Sequence, residues 1–207
     1  TTAMADFQAI LAANERLKAV TEATLGVRVG LENMGASTGN FLCYGLFPDH
    51  ADYQDWLDPA KRRKSVIRSG TWSADGLAAF DESKIREYVR YSFYDSPSGL
   101  HPSEGETSPK RDKEGAYSWT KAPRYGEEVF EVGPLARMMT TFGTNWRVER
   151  VHPTTGEDYG PVEYVLRNPR GSVLDRFAAR AFMLMLCANK AFEWLLELRD
   201  YMGEPIV

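Results

Sequence analysis

Cysteine is almost missing from this sequence: 207 residues contain two, Cys43 and Cys187, 144 positions apart. Two thiols are too few for a disulfide scaffold. Histidine is equally sparse, with His50, His101 and His152 only, and the last two precede Pro102 and Pro153. Without a His-x-x-x-His or Cys-x-x-Cys pair, a self-contained zinc site is not expected. No run approaches the roughly 18 consecutive apolar residues of a membrane span, and the first residues lack the basic-then-apolar order of a secretory signal. Any membrane contact is therefore expected only through partners.

Charge of one sign is lacking too. Lys and Arg number 25 against 29 Asp and Glu, a net charge of −4, so no broad attraction to nucleic acid is expected. The densest basic cluster, Lys61 to Lys64, has no interleaved aromatics and reads as a solvated loop or helix end. The glycine-rich run over 26–45 has no Gly-Lys-Ser or Gly-Lys-Thr ending, which argues against a phosphate-cradling loop, and no Gly-x-Ser-x-Gly elbow marks a hydrolase.

Hydrophobic residues make up 43% of the chain, enough for a real core. Apolar spacing predicts an amphipathic helix over 5–25, starting almost at residue 1, where no methionine stands, a start expected of a chain cut from something longer or of a processed one. A second helix is predicted over 81–94, where Ile85, Tyr88, Val89, Ser92 and Phe93 fall at helical spacing and Asp81 or Ser83 can cap. Pro134 and Gly143 bracket a third, with Leu135, Met138, Met139 and Phe142 on one face. A fourth, from about 173 to 201, opens on a capping box of Ser172 and Asp175 and carries an apolar stripe suited to a larger bundle. Short strands and turns are expected over 46–80, and a turn-rich stretch over 143–171. Residues 95–128 hold four prolines and no period, and so long a loop is usually functional or covered by a partner. The fold class expected is mainly α, with minor β.

Within that loop, Lys121 and Arg124 flank Ala122-Pro123, a dipeptide that favours extended backbone. Such a pair suits a carboxylate, ordered waters, a buried ion pair or a subunit contact.

Four segments in order, NFLCYGLFP (40–48), RYSFYDSPSGLHPSEGETSP (90–109), YSWTKAPRYGEEVFEVGPLAR (117–137) and LDRFAAR (174–180), resemble the middle of the large subunit of nickel-iron hydrogenases. Phe93, where the family commonly has tryptophan, Tyr44, and the Gly and Pro content of 143–171 depart from the pattern and suggest a divergent subgroup. The resemblance implies a helical core with long irregular loops, and reversible oxidation of H2 to protons and electrons, which leave through the iron–sulfur clusters of a small subunit. It also implies a nickel-iron centre held by two Cys-x-x-Cys pairs, and neither pair occurs in 1–207. A soft-ligand site of that kind needs four thiolates. Residues 1–207 are thus expected to be a single central segment that acts only with the remaining parts of the large subunit; the alternative is a non-catalytic scaffold related to such subunits. By the same resemblance, Glu87 and Lys121 would order water near a magnesium site, while Arg124, Tyr125 and His101 would support the loop or a subunit interface.

Overall fold

A computed structural model describes residue 16 and residues 33–47, 65–151, 157–166 and 168–201. The helix expected over 5–25 lies outside them except for Arg16, which is helical, as do His50, His152 and the basic cluster 61–64. In order, the elements are β1 (Phe41–Cys43), β2 (Gly70–Ser73), β3 (Gly76–Ala78), β4 (Ile85–Tyr88), β5 (Ala122–Tyr125), α1 (Pro134–Phe142), β6 (Asn145–Val151), β7 (Asp158–Val165) and α2 (Val173–Tyr201).

Strands outnumber helices among the described residues, and this overturns the mainly α expectation. Seven short strands form three small antiparallel sheets, β1-β2-β3, β4-β5 and β6-β7, beside two helices. The stretch predicted as a helix over 81–94 instead forms a single 3-10 turn, Glu82–Lys84, followed by β4 and irregular backbone. Asp81 does cap, accepting from the Ser83 N–H, but the turn it caps goes no further. Ile85, Tyr88, Val89, Tyr91, Phe93 and Tyr94 are β-branched or aromatic, and such side chains lose rotamer freedom in a helix while fitting a pleated surface. Pairing with β5, 34 positions away, decides the matter: Glu87 sits opposite Pro123 and Tyr88 opposite Ala122.

The turn-rich stretch also holds more order than expected. Along β6, Trp146 and Val148 are buried while Asn145, Arg147 and Glu149 are exposed, the period-2 alternation of a half-buried strand. Its partner β7 sets Tyr164 opposite Trp146, and the two rings stack with centroids 5.0 Å apart.

The two later helices form as predicted. Pro134 opens α1, which carries Leu135, Met138 and Met139 into the core, and Gly143 closes it with φ at +69°. At the start of α2, the Ser172 hydroxyl donates to Asp175 Oδ2 at 2.6 Å and accepts from the Asp175 N–H at 3.3 Å. Asp175 Oδ1 accepts from the Tyr164 hydroxyl, so this buried carboxylate ties the helix start to the β6-β7 hairpin.

One core joins these pieces. Phe41 from β1, Ile67, Leu135 and Met138 from α1, Trp146 from β6 and Phe182 from α2 are all fully buried. Trp146 satisfies its indole N–H by donating to the Gly143 carbonyl at 2.7 Å. The first half of α2 lines this core, whereas Phe177, Trp194, Leu195, Leu196 and Leu198 are exposed. No helix among the described residues is long and apolar enough to cross a membrane.

Candidate functional site

Strands β4 and β5 and the loop between them carry the residues singled out in the sequence, and the path of the loop follows from its hydrogen bonds. Residues 118–120 run beside 92–94: the Phe93 N–H donates to the Ser118 carbonyl at 3.0 Å and the Ser92 hydroxyl to the Thr120 carbonyl at 2.6 Å. Lys113 clamps the same turn from within, its ammonium donating to the carbonyls of Val89 at 2.7 Å and Tyr94 at 2.8 Å. Trp119 packs on Phe93 with ring centroids 5.0 Å apart, and its carbonyl accepts from the Tyr94 hydroxyl. A segment without a helical or strand period is thus held by side chains bonding to main chain.

This path brings Glu87 and Lys121 together. Lys121 Nζ lies 2.8 Å from Glu87 Oε2, and the two side chains are only 19% and 28% exposed. The ammonium also lies 5.7 Å from the centroid of the Tyr94 ring, within cation-π range. The main chain of Glu87 is fixed on its other edge, its N–H donating to the Leu100 carbonyl and its carbonyl accepting from the Gly99 N–H. The outcome is a half-buried, oriented carboxylate–ammonium pair that can still hydrogen-bond to water.

The three support residues do not converge on that pair in one cluster. His101 shares Nδ1 with the Ser103 hydroxyl at 2.6 Å and accepts there from the Ser103 N–H, which leaves Nε2–H to donate to the Glu82 carbonyl at 3.2 Å. The histidine thereby pins the 101–105 turn onto the 3-10 turn. The Tyr125 hydroxyl accepts from the Asp81 N–H at 2.8 Å, and its ring packs between Phe80 and Phe130. Arg124 donates to the Pro123 carbonyl at 2.7 Å and faces Arg86 across the β4-β5 ladder. Sequence reasoning missed Arg86, Tyr94 and Lys113; cross-strand partners become visible only when β4 is read as a strand.

Tyr88 is another neighbour found only in the fold. Its hydroxyl donates to Glu127 Oε2 at 2.7 Å, and that bond holds the phenol above its ordinary pKa.

A nickel centre of the thiolate type does not fit the residues of this chain. Cys43 is buried on β1 and Cys187 half-buried on α2, and burial pushes both thiols above their ordinary pKa, toward the protonated form that is a poor ligand. Among the described residues no group of three or more His, Cys, Asp or Glu side chains is placed to hold a metal ion. Glu87 is a hard oxygen donor, suited to hydrogen-bonding the waters of a magnesium ion but not to holding that ion alone.

The same arrangement of strands and helices recurs in hydrogenases. The nickel-iron-selenium hydrogenase of D. vulgaris Hildenborough in its reduced state matches 91% of this chain with a TM-score of 0.66 and 27% identity, and the chain covers 39% of it. The H2-activated [NiFeSe]-hydrogenase of Dm. baculatum matches 91% with a TM-score of 0.64 and 28% identity, of which 40% is covered. The chain belongs to the nickel-dependent hydrogenase family, whose model matches residues 22–205.

Curated relatives agree. The periplasmic [NiFeSe] hydrogenase large subunit of Desulfomicrobium baculatum is 42% identical over 118 residues, 56% of this chain and 21% of that protein. The uptake hydrogenase large subunit of Rhizobium leguminosarum bv. viciae is 31% identical over 172 residues, 71% of this chain and 27% of that protein. The chain thus spans about a quarter of the length of the curated relatives it matches.

Proposed function

We propose that this chain is a central segment of a nickel-iron hydrogenase large subunit and serves the reversible oxidation of H2 to protons and electrons once it is assembled with the rest of that subunit. The observation that carries the reading is the likeness over 91% of the chain to a solved nickel-iron-selenium hydrogenase of which it covers 39%. The metal thiolates come from polypeptide bearing Cys-x-x-Cys pairs, and an iron–sulfur small subunit takes the electrons.

The contribution of this segment is support. Glu87 and Lys121 form a half-buried polar pair that orders water, and we assign it to the surroundings of a magnesium ion whose ligands lie elsewhere. His101 holds the loop, and Tyr125 the end of β5, against the 3-10 turn and its cap, which supports the geometry of the pair.

The one second reading is a non-catalytic scaffold related to such subunits, which also fits residues that hold neither cysteine pair. Purification of the native complex separates the two. The hydrogenase reading expects nickel only when polypeptides carrying Cys-x-x-Cys pairs co-purify, together with H2-dependent reduction of a viologen dye. Stoichiometric nickel on this chain alone sinks it, and a nickel-free complex with no dye reduction leaves the scaffold.

A further inference from the structure

The β4-β5 ladder sets Arg86 directly opposite Arg124. Like charges opposed across a strand pair destabilise it, and both residues are half-buried, which keeps water from screening them fully. Among the described residues their hydrogen bonds go to main chain alone: Arg86 Nη1 donates to the carbonyls of Ser83 at 2.6 Å and Ile85 at 2.8 Å, and Arg124 Nη1 to that of Pro123 at 2.7 Å. Among the described residues no carboxylate comes within ion-pair distance of either guanidinium. Glu127 accepts from the Tyr88 hydroxyl. Residues directly opposite in an antiparallel pair project from the same face of the ladder, so the two arginines share one face.

We propose that Arg86 and Arg124 together bind an acidic side chain of the polypeptide that completes the large subunit. This rests on the functional reading above. Two arginines opposed on one face of a ladder offer several N–H donors in fork geometry, the arrangement that holds a carboxylate bidentately, and a bridging anion turns the cross-strand repulsion into attraction. The partner is polypeptide of the same subunit because the solved hydrogenases extend well beyond this chain, which covers 39–40% of them.

The test uses the assembled complex and two conservative variants, Arg86→Lys and Arg124→Lys. Each keeps the charge and adds an amine that a water-soluble carbodiimide couples to a touching carboxylate. Mass spectrometry is expected to find a new amide, absent from the wild type, joining the introduced lysine to an Asp or Glu of the completing polypeptide. The charge-reversed Arg124→Glu should weaken retention of that polypeptide on the order of tenfold or more. A link only to Glu127 or another acid of this chain, a link to the small subunit, or no link overturns the inference. If the wild type carries nickel and reduces dye with H2 while the variants give no such link, the inference falls alone. If the wild type recruits no completing polypeptide, both fall.

Discussion

Glu131 and Arg176 meet in a two-pronged ion pair, Nε to Oε1 at 2.7 Å and Nη2 to Oε2 at 2.8 Å. The main chain of Glu131 is strapped to β1, donating to the Asn40 carbonyl and accepting from the Leu42 N–H, while Arg176 lies near the start of α2. A cation near a helix N-terminus opposes the helix dipole, and the carboxylate offsets it. Arg176 also donates to the Gly35 carbonyl at 2.6 Å, so one side chain joins three segments.

Arg176→Lys keeps the charge but not the fork, and should lower stability by about 1–2 kcal/mol, with Arg176→Ala costing more because the carboxylate of Glu131, 17% exposed in the pair, loses both its bonds. Urea unfolding checks this. Equal midpoints for wild type and Arg176→Ala would show that the pair contributes nothing.

The Glu87–Lys121 pair calls for a double-mutant cycle. Glu87→Gln and Lys121→Met each strand a half-buried charge, and the double variant should lose less than the sum, with a coupling of roughly 0.5–3 kcal/mol. In the assembled enzyme each single change should also slow H2-dependent dye reduction. Strict additivity in both readouts would reduce the pair to a coincidental contact.

How much of this was legible in the residues alone differs by element. Helix α1 was readable because Pro134, its apolar face and Gly143 all act locally, and the Ser172–Asp175 box marked α2 for the same reason. Strand β4 was not, since Ile85, Tyr88 and Val89 satisfy a helical spacing and only the distant β5 shows that they run extended. The pairing of β6 with β7 was hidden by the Gly and Pro content of 143–171, although the alternation of Trp146 and Val148 was there to be read. Glu87 and Lys121 were named through family likeness as residues that would order water near a magnesium ion, not as the ion pair they form, and Arg86 opposite Arg124 depends on register, which no local pattern in this loop specifies.

Gly171 tests the core from its edge. Its φ is +68°, and a Cβ there would stand 2.5 Å from Leu135 Cδ2 and 3.8 Å from Phe41 Cζ, against two fully buried side chains. Gly171→Ala should therefore destabilise by about 1–3 kcal/mol through overpacking and backbone strain. Leu135→Val, harmful alone, should recover part of that loss in the double variant, as a clash with Leu135 requires. A double variant no better than the sum of the singles would place the cost in the backbone alone.

The two thiols give a prediction about pH and about metal. Burial raises the pKa of Cys43 and of Cys187, so the folded state holds their protons more tightly than the unfolded chain does. That contribution to stability is fully present below the unfolded thiol pKa and is lost as pH rises through the folded value. Cys43→Ser and Cys187→Ser variants should accordingly flatten the fall in stability seen by unfolding at alkaline pH. Iodoacetamide at neutral pH should label half-buried Cys187 before Cys43, which is 5% exposed and accepts from the Gly45 N–H. Rapid, equal labelling of both would contradict the burial that keeps these thiols protonated, and with it the argument that neither is a nickel ligand.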